Sequence, residues 1–174
     1  MIYVAFEECE NAPTAHHEAG ICARDRLFSL FGIEGEIKRT ENGKPYIPCS
    51  RYHFSISHSY GLAVCALRCK EEKYDLPEDI FTIFENGEGE VGADIQLIPS
   101  DDYLQRMNRI AIRYIYTQYD STEAFTRAWT QKEAYTKLSD IPLIHALKTE
   151  ITEGIAFSGK ITASDKDYFL SILI

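Results

Sequence analysis

Hydrophobic and polar positions along this chain fall into short blocks, each with its own period. Met1 to Phe6 is β-rich and loosely alternating, which predicts an opening strand. A helical period follows, in which Ile21, Ala23, Leu27, Leu30 and Phe31 recur on one face, with Thr14 as the expected N-cap and Gly32 as the stop. Gly35 to Thr40 reads as a strand, Asn42-Gly43 as a turn, and Pro45 with Pro48 keeps the next stretch extended. Two more strands are predicted over His53 to Ile56 and Leu62 to Arg68.

In the second half, Pro99-Ser100-Asp101-Asp102 starts a helix, its acids complementing the N-terminal dipole and Leu104, Met107, Ile110, Ala111 and Tyr114 forming its apolar face. Asp120-Ser121-Thr122-Glu123 has the pattern of a capping box and opens a helix through Phe125, Ala128, Trp129 and Leu138, closed by Pro142. Strands near Lys148 to Ser158 and Tyr168 to Ile174 finish the chain. Phe157 to Ile174 echoes Phe54 to Arg68, a polar turn leading into an apolar strand, and hints at two similar halves.

Residues 70 to 90 break this rhythm. Glu71, Glu72, Asp75, Glu78, Asp79, Glu85, Glu88 and Glu90 face only Lys70 and Lys73, and Ile80 to Phe84 has the composition of an exposed strand turning at Asn86-Gly87 toward the strand Val91 to Leu97. The segment reads as a solvated acidic hairpin insertion. With a formal net charge of -9 over 174 residues, general nucleic-acid binding is excluded, because phosphate backbones need a basic surface. Any anionic partner must meet a local basic patch. A hydrophobic content of 45% supports a sizeable core, yet no apolar run approaches the roughly 20 residues of a membrane span. The opening strand is no signal peptide, so the cytoplasm is the expected location. Five cysteines, at 9, 22, 49, 65 and 69, form no Cys-x-x-Cys pair and read as small buried hydrophobes.

Three signatures carry the chemistry: Phe54-Ser55-Ile56-Ser57-His58-Ser59, Gly92-Ala93-Asp94-Ile95-Gln96, and Trp129 to Lys137, with Gly43-Lys44-Pro45 upstream. Trp129, Glu133 and Lys137 are spaced i, i+4, i+8 and share one helix face. That spacing also fits an exposed Glu133–Lys137 ion pair worth roughly 0.2–0.5 kcal/mol. Asp94, set among apolar residues at a strand end, tips the reading toward Asp94 and Glu133 sharing a divalent cation. Oxygen ligands with few protein carboxylates favour magnesium held jointly with substrate phosphates, and the lack of a histidine ligand argues against zinc. His58 serves either packing or phosphate binding. A hydrolase pairing of Ser57 with His58 is disfavoured, since neighbours on a strand point to opposite faces. Arg106, Arg109 and Arg113 make a basic stripe, either a solvated face or a docking surface for an anionic protein.

These signatures, in this order from Gly43 to Ile174, resemble those of the 4′-phosphopantetheinyl transferases, specifically the Sfp-type enzymes. The resemblance implies an α+β fold of two pseudo-symmetric α/β halves, 1–98 and 99–174, with the active site in the cleft between them. It implies magnesium-dependent transfer of the phosphopantetheine arm of coenzyme A to a serine of an acyl or peptidyl carrier protein, releasing adenosine 3′,5′-bisphosphate. Asp94 and Glu133 would hold Mg2+, and Lys137 would hold the pyrophosphate. His58 would meet the 3′-phosphate, Lys44, Pro45 and Ser57 the rest of the nucleotide, and the Arg106–Arg113 stripe the carrier. Paired halves in one chain need no subunit-built site, so a monomer is expected.

Three departures from the pattern stand out. Gln96 replaces a second carboxylate and is expected to ligate metal through its carbonyl or a water, with weaker magnesium binding. Tyr116-Thr117-Gln118 offers an amide where many relatives carry a glutamate base, leaving a metal-bound hydroxide or Glu133 to take the serine proton. The basic leading segment is missing, with His16, His17 and Arg24 as candidate replacements. Two rival readings follow: a degenerate relative that binds coenzyme A or a carrier without transfer, and a magnesium-dependent phosphohydrolase that needs no carrier.

Overall fold

The computed structural model describes residues 1–10, 12–85, 87–115 and 117–174. Strand β1 (Ile2–Glu8) leads into helix α1 (Pro13–Phe31), the short strands β2 (Lys38–Arg39) and β3 (Pro45–Tyr46), and then β4 (His53–Ser59), β5 (Leu62–Arg68), β6 (Ile80–Ile83) and β7 (Gly92–Leu97). Helices α2 (Leu104–Ile115) and α3 (Thr122–Ser139), a single turn α4 (Leu143–Ala146) and the hairpin β8 (Ile155–Ala163) with β9 (Lys166–Leu173) complete the chain. The fold is mixed α/β.

Side-chain alternation builds the layers. In β1 and β5, Tyr3, Ala5, Cys65 and Leu67 point to one face, where Ala23, Leu27, Phe28 and Phe31 of α1 cover them. Ile2, Val4, Val64 and Ala66 point to the other, against Ala93, Ile95, Leu170 and Ile172. Because both faces are covered, β5 is buried along its whole length and reads as an apolar run from Leu62 to Leu67 closed by a buried Arg68. The four-stranded sheet β4-β5-β1-β6 thus packs on a three-stranded sheet, β7-β9-β8, whose far side carries α3. Gly92 sits where β7 meets α3, and a Cβ there would fall 2.6 Å from Leu138 N. Only glycine admits that approach of helix to strand.

Three serines join the sheets. Ser55, Ser57 and Ser59 on the edge strand β4 accept the N–H groups of Ala93, Ile95 and Leu97 on the edge strand β7, at 2.9, 3.3 and 3.0 Å. Side chains therefore satisfy the free donors of an edge that has no further strand to pair with.

Several expected elements fall differently. β6 pairs with β1 as a fourth strand rather than turning back on β7, because its neighbour in space is the free edge of β1. Asn86, half of the expected turn, lies outside the described residues. The acidic segment is largely exposed, as expected, but it is also pinned by ion pairs: Arg51 holds Glu71, Arg26 holds Asp79, Arg68 holds Glu85, Lys70 holds Glu88 and Lys44 holds Glu90. β7 belongs with β9, so the division drawn at residue 98 separates strands of one sheet. α1 starts at Pro13 behind an extended Ala12, and Thr14 is not its cap. Gly32 does end it, left-handed at φ 58. Ser121 caps α3 through the Ala124 N–H, but the residue at the third helical position is alanine, so the reciprocal half of a capping box is absent. On α2, Ala111 is buried as expected, but Ile110 and Tyr114 are exposed and Asn108 is buried in their place. The late strand expected from Lys148 begins only at Ile155, after α4, and its hairpin turns through Ser164 and Asp165, both at positive φ. Only Lys38–Arg39 of the expected strand Gly35 to Thr40 forms one. Cys65 and Cys69 are buried, whereas Cys22 and Cys49 are exposed and do not fit the packing reading.

Candidate active site

Alternation on β7 sends Ala93 and Ile95 into the core between the sheets and leaves Asp94 facing α3. There the i, i+4, i+8 spacing of Trp129, Glu133 and Lys137 lays three side chains along the facing side of the helix. Asp94 is 2% exposed. Its Oδ1 accepts from Ser57 Oγ at 2.7 Å and from Lys137 Nζ at 2.7 Å, and Lys137 also donates to the Ala93 carbonyl at 3.0 Å. Glu133 Oε1 accepts the Trp129 indole N–H at 2.8 Å. The lysine thus pairs with the aspartate across the interface, and the alternative reading of an exposed Glu133–Lys137 ion pair gives way to that contact.

Burial, then repulsion from Asp94, pushes the Glu133 carboxyl from 4.5 up to about 7, with Lys137 only partly opposing the rise. The second oxygen of Asp94, Oδ2, is buried without a hydrogen-bond partner. Two adjacent carboxylates, one of them with an unsatisfied buried oxygen, fit a hard divalent cation, whose charge relieves the repulsion and whose coordination sphere takes the orphaned atom. Among the described residues no group of three or more His, Cys, Asp or Glu side chains gathers into a metal cage. Such a sparse protein ligand set suits magnesium, which keeps waters and substrate oxygens. Gln96 is on the same face of β7 as Asp94, two residues on, and lines a groove under α2; among the described residues no hydrogen bond ties it to either carboxylate.

Two cavities flank this line of residues. A cleft of about 380 Å3 opens at the Lys137 end and is walled by His17 and Arg24 of α1, Arg39, the Gly43–Pro45 turn and His58. Apart from Asp140, its charged lining residues are basic. A groove of about 830 Å3 opens at the Trp129 end, between α2 and the β7–β9 side of the sheet, with Gln96, Arg106, Met107, Ile110 and Phe125 in its walls. Along α3 the three side chains of the motif therefore run from one cavity to the other.

The expected residues are only partly gathered. Asp94, Glu133 and Lys137 meet. His58 lines the cleft and stacks on His16, ring centroids 5.4 Å apart, while His16 Nε2 accepts the Gly61 N–H. Partial burial, reinforced by the positive charge of Lys137, lowers the pKa of His58. Pro45 and Lys44 line the cleft, but the Lys44 ammonium is taken by Glu90 Oε2 at 2.5 Å and the Leu138 carbonyl at 3.1 Å. Ser57 is buried in the joint between the sheets, between the cleft-lining residues Ile56 and His58. It also points away from His58, so the two form no nucleophile–base pair. Arg106, Arg109 and Arg113 are exposed on α2, and among the described residues none joins an ion pair. Tyr116 lies outside the described residues. Arg39 was missed as a wall of the cleft. Its signal was a basic residue just ahead of the Asn42-Gly43 turn, at a position the pattern assigned to an ordinary strand.

No family model matches the chain. A curated protein of Haemophilus influenzae, named "Putative 4′-phosphopantetheinyl transferase", is 30% identical over 132 residues, 70% of this chain and 50% of that protein. This chain is thus similar to a phosphopantetheinyl transferase. It spans about half the length of the curated relative it matches. The similarity supports the phosphopantetheinyl transferase superfamily as the frame for the site. Among the described residues no helix is long and apolar enough to cross a membrane.

Proposed function

We propose that this chain is an Sfp-type, magnesium-dependent 4′-phosphopantetheinyl transferase that moves the phosphopantetheine arm of coenzyme A to a serine of an acyl or peptidyl carrier protein. The observation that carries the reading is the unpartnered Asp94 Oδ2 beside Glu133 and Lys137, at the inner end of a basic cleft. Asp94 and Glu133 would hold Mg2+, with Gln96 contributing through its carbonyl or a water. Magnesium, when bound there, supplies positive charge to the pyrophosphate oxygens.

The chain's own residues supply the rest. Lys137, fixed between Asp94 and the Ala93 carbonyl, points its ammonium at the cleft and stabilises charge that grows on the leaving phosphate. Arg24, Arg39, His17 and His58 give the cleft wall its basic character and receive the 3′-phosphate and diphosphate of the nucleotide. The acceptor serine enters from the Trp129 groove. Its oxygen forms the new bond to the phosphorus of the arm, the bond to adenosine 3′,5′-bisphosphate breaks, and the serine proton passes to Glu133. The carrier docks on α2, where Arg106, Arg109 and Arg113 present exposed cations beside exposed Ile110 and Tyr114. We place the two sheet-and-helix units as the paired halves of the fold, in one self-sufficient monomer working in the cytoplasm.

Intact-mass spectrometry of an apo carrier protein incubated with the chain, coenzyme A and magnesium tests the reading. A gain of the phosphopantetheine mass, abolished by chelator and by Glu133→Ala, is expected. Binding of coenzyme A with no gain on any carrier would replace the transferase with a non-catalytic binder. Breakdown of coenzyme A without a carrier would replace it with a phosphohydrolase.

A further inference from the structure

Helix α3 carries the reactive side chains and ends at Ser139, with Asp140 left-handed at φ 52. Carbonyls in the last turn of a helix have no N–H within the helix to receive them. Here the donors come from a distant turn. Lys44 Nζ donates to the Leu138 carbonyl at 3.1 Å, Asn42 Nδ2 to the Asp140 carbonyl at 2.7 Å, and Thr40 Oγ1 to Asp140 Oδ1 at 2.9 Å. The turn is itself closed by Gly43 N to the Thr40 carbonyl at 3.0 Å and Lys44 N to Thr40 Oγ1 at 3.0 Å, with Gly43 at φ 89. An ammonium at this end also complements the helix dipole.

The Lys44 side chain is only 10% exposed. Opposite the helix end its ammonium meets Glu90 Oε2 at 2.5 Å, and Glu90 Oε1 meets His53 Nδ1 at 2.9 Å. Burial works to raise the Glu90 carboxyl, but the hydrogen bond and charge of Lys44 outweigh it and hold the group below its ordinary value. Glu90 is the last residue of the acidic segment before β7, so that segment delivers an ionised clamp onto Lys44. Lys44 thus ties the Glu90 carboxylate to the last turn of α3.

We infer that the Thr40–Lys44 turn is a detached C-terminal cap of α3, clamped by Glu90, that holds Lys137 and Glu133 in register against Asp94. Lys44 and Glu90 are then positioning residues, and contact with the anion falls to the other cations of the cleft wall, Arg39 together with Arg24 and Lys137, which are held in place by Asp25 and Asp94. This rests on the transferase reading for its kinetic readout, while the cap itself is tested without any substrate.

The test is a double-mutant cycle of Lys44→Met and Glu90→Gln, with Asn42→Ala as a variant that removes a cap bond and leaves both charges in place. Thermal unfolding of the ligand-free chain is expected to show each of the three single variants melting about 2–4 °C or more below the parent. The Lys44/Glu90 double should fall no further than the worse of its singles. Emission of Trp129, the sole tryptophan and a residue of α3, should shift in all of them. In the transfer assay each single variant should lower kcat by about tenfold and leave KM for coenzyme A within about threefold, because the loss falls on groups that act in the transition state. Additive melting losses would overturn the clamp. A KM for coenzyme A raised tenfold or more by Lys44→Met and untouched by Glu90→Gln would show Lys44 to be a direct phosphate ligand and overturn the inference. A parent chain that neither binds nor turns over coenzyme A would sink the transferase reading, and the melting cycle would still decide the cap.

Discussion

Gly92→Ala isolates one contact on which the site depends. The added methyl would lie 2.6 Å from Leu138 N and 2.9 Å from Leu138 Cβ, and closer still to the Ala134 carbonyl oxygen. These are mostly backbone atoms of α3, which no rotamer change can move aside. Helix and strand must part by about 1 Å, and overpacking of this kind costs about 3 kcal/mol, the upper end of its usual range. In a chain of this size that is a fall in melting temperature of about 6–12 °C. The same displacement stretches the 2.7 Å contact of Lys137 with Asp94 and separates Glu133 from its partner carboxylate. A misplacement near 1 Å in a reacting constellation costs about 100-fold in rate. Urea unfolding followed by Trp129 emission reads the stability, and carrier modification per folded molecule reads the rate. Gly92→Ala melting within 1 °C of the parent with activity within twofold would show that the strand–helix approach does not set the site.

Glu133→Gln should uncouple stability from pH. The Glu133 carboxyl is raised from 4.5 to about 7, so its contribution to folding is complete below about pH 4.5 and is lost as pH rises through 7. In chelator, the glutamine variant should therefore gain about 1–3 kcal/mol on the parent between pH 5 and pH 8 while losing transfer activity; an identical pH dependence of the two unfolding curves would exclude a desolvated carboxylate beside Asp94. Ser57→Ala removes a donor from Asp94 and an acceptor from the Ile95 N–H. It should cost about 1–3 kcal/mol in denaturant unfolding with kcat reduced rather than abolished, whereas complete loss of turnover in a normally stable variant would make Ser57 a nucleophile after all.

Much of the chain's local structure was legible in its pattern. Leu62–Arg68 was recognisable because a strand covered on both faces needs an apolar run, and Gly32 because a helix stop wants a left-handed residue. Residue type and spacing alone placed Trp129, Glu133 and Lys137 on one helix face and marked Asp94 as a carboxylate in apolar company. What the pattern left undecided were partners. Lys137 meets Asp94 rather than Glu133, β6 meets β1 rather than β7, and Ser57 joins two sheet edges. Each of these is a contact between residues 37 to more than 70 positions apart, and a one-dimensional period carries no information about which distant edge or charge will be nearest. The acidic segment makes the same point through electrostatics: its charge was plain in the sequence, but only the packed chain brings Arg26, Arg51, Arg68 and Lys44 to meet it. The sequence by itself determined which chemical groups this protein carries and on which face of each element they stand; the tertiary structure decided which of them touch, because pairing depends on distances through space that only folding sets.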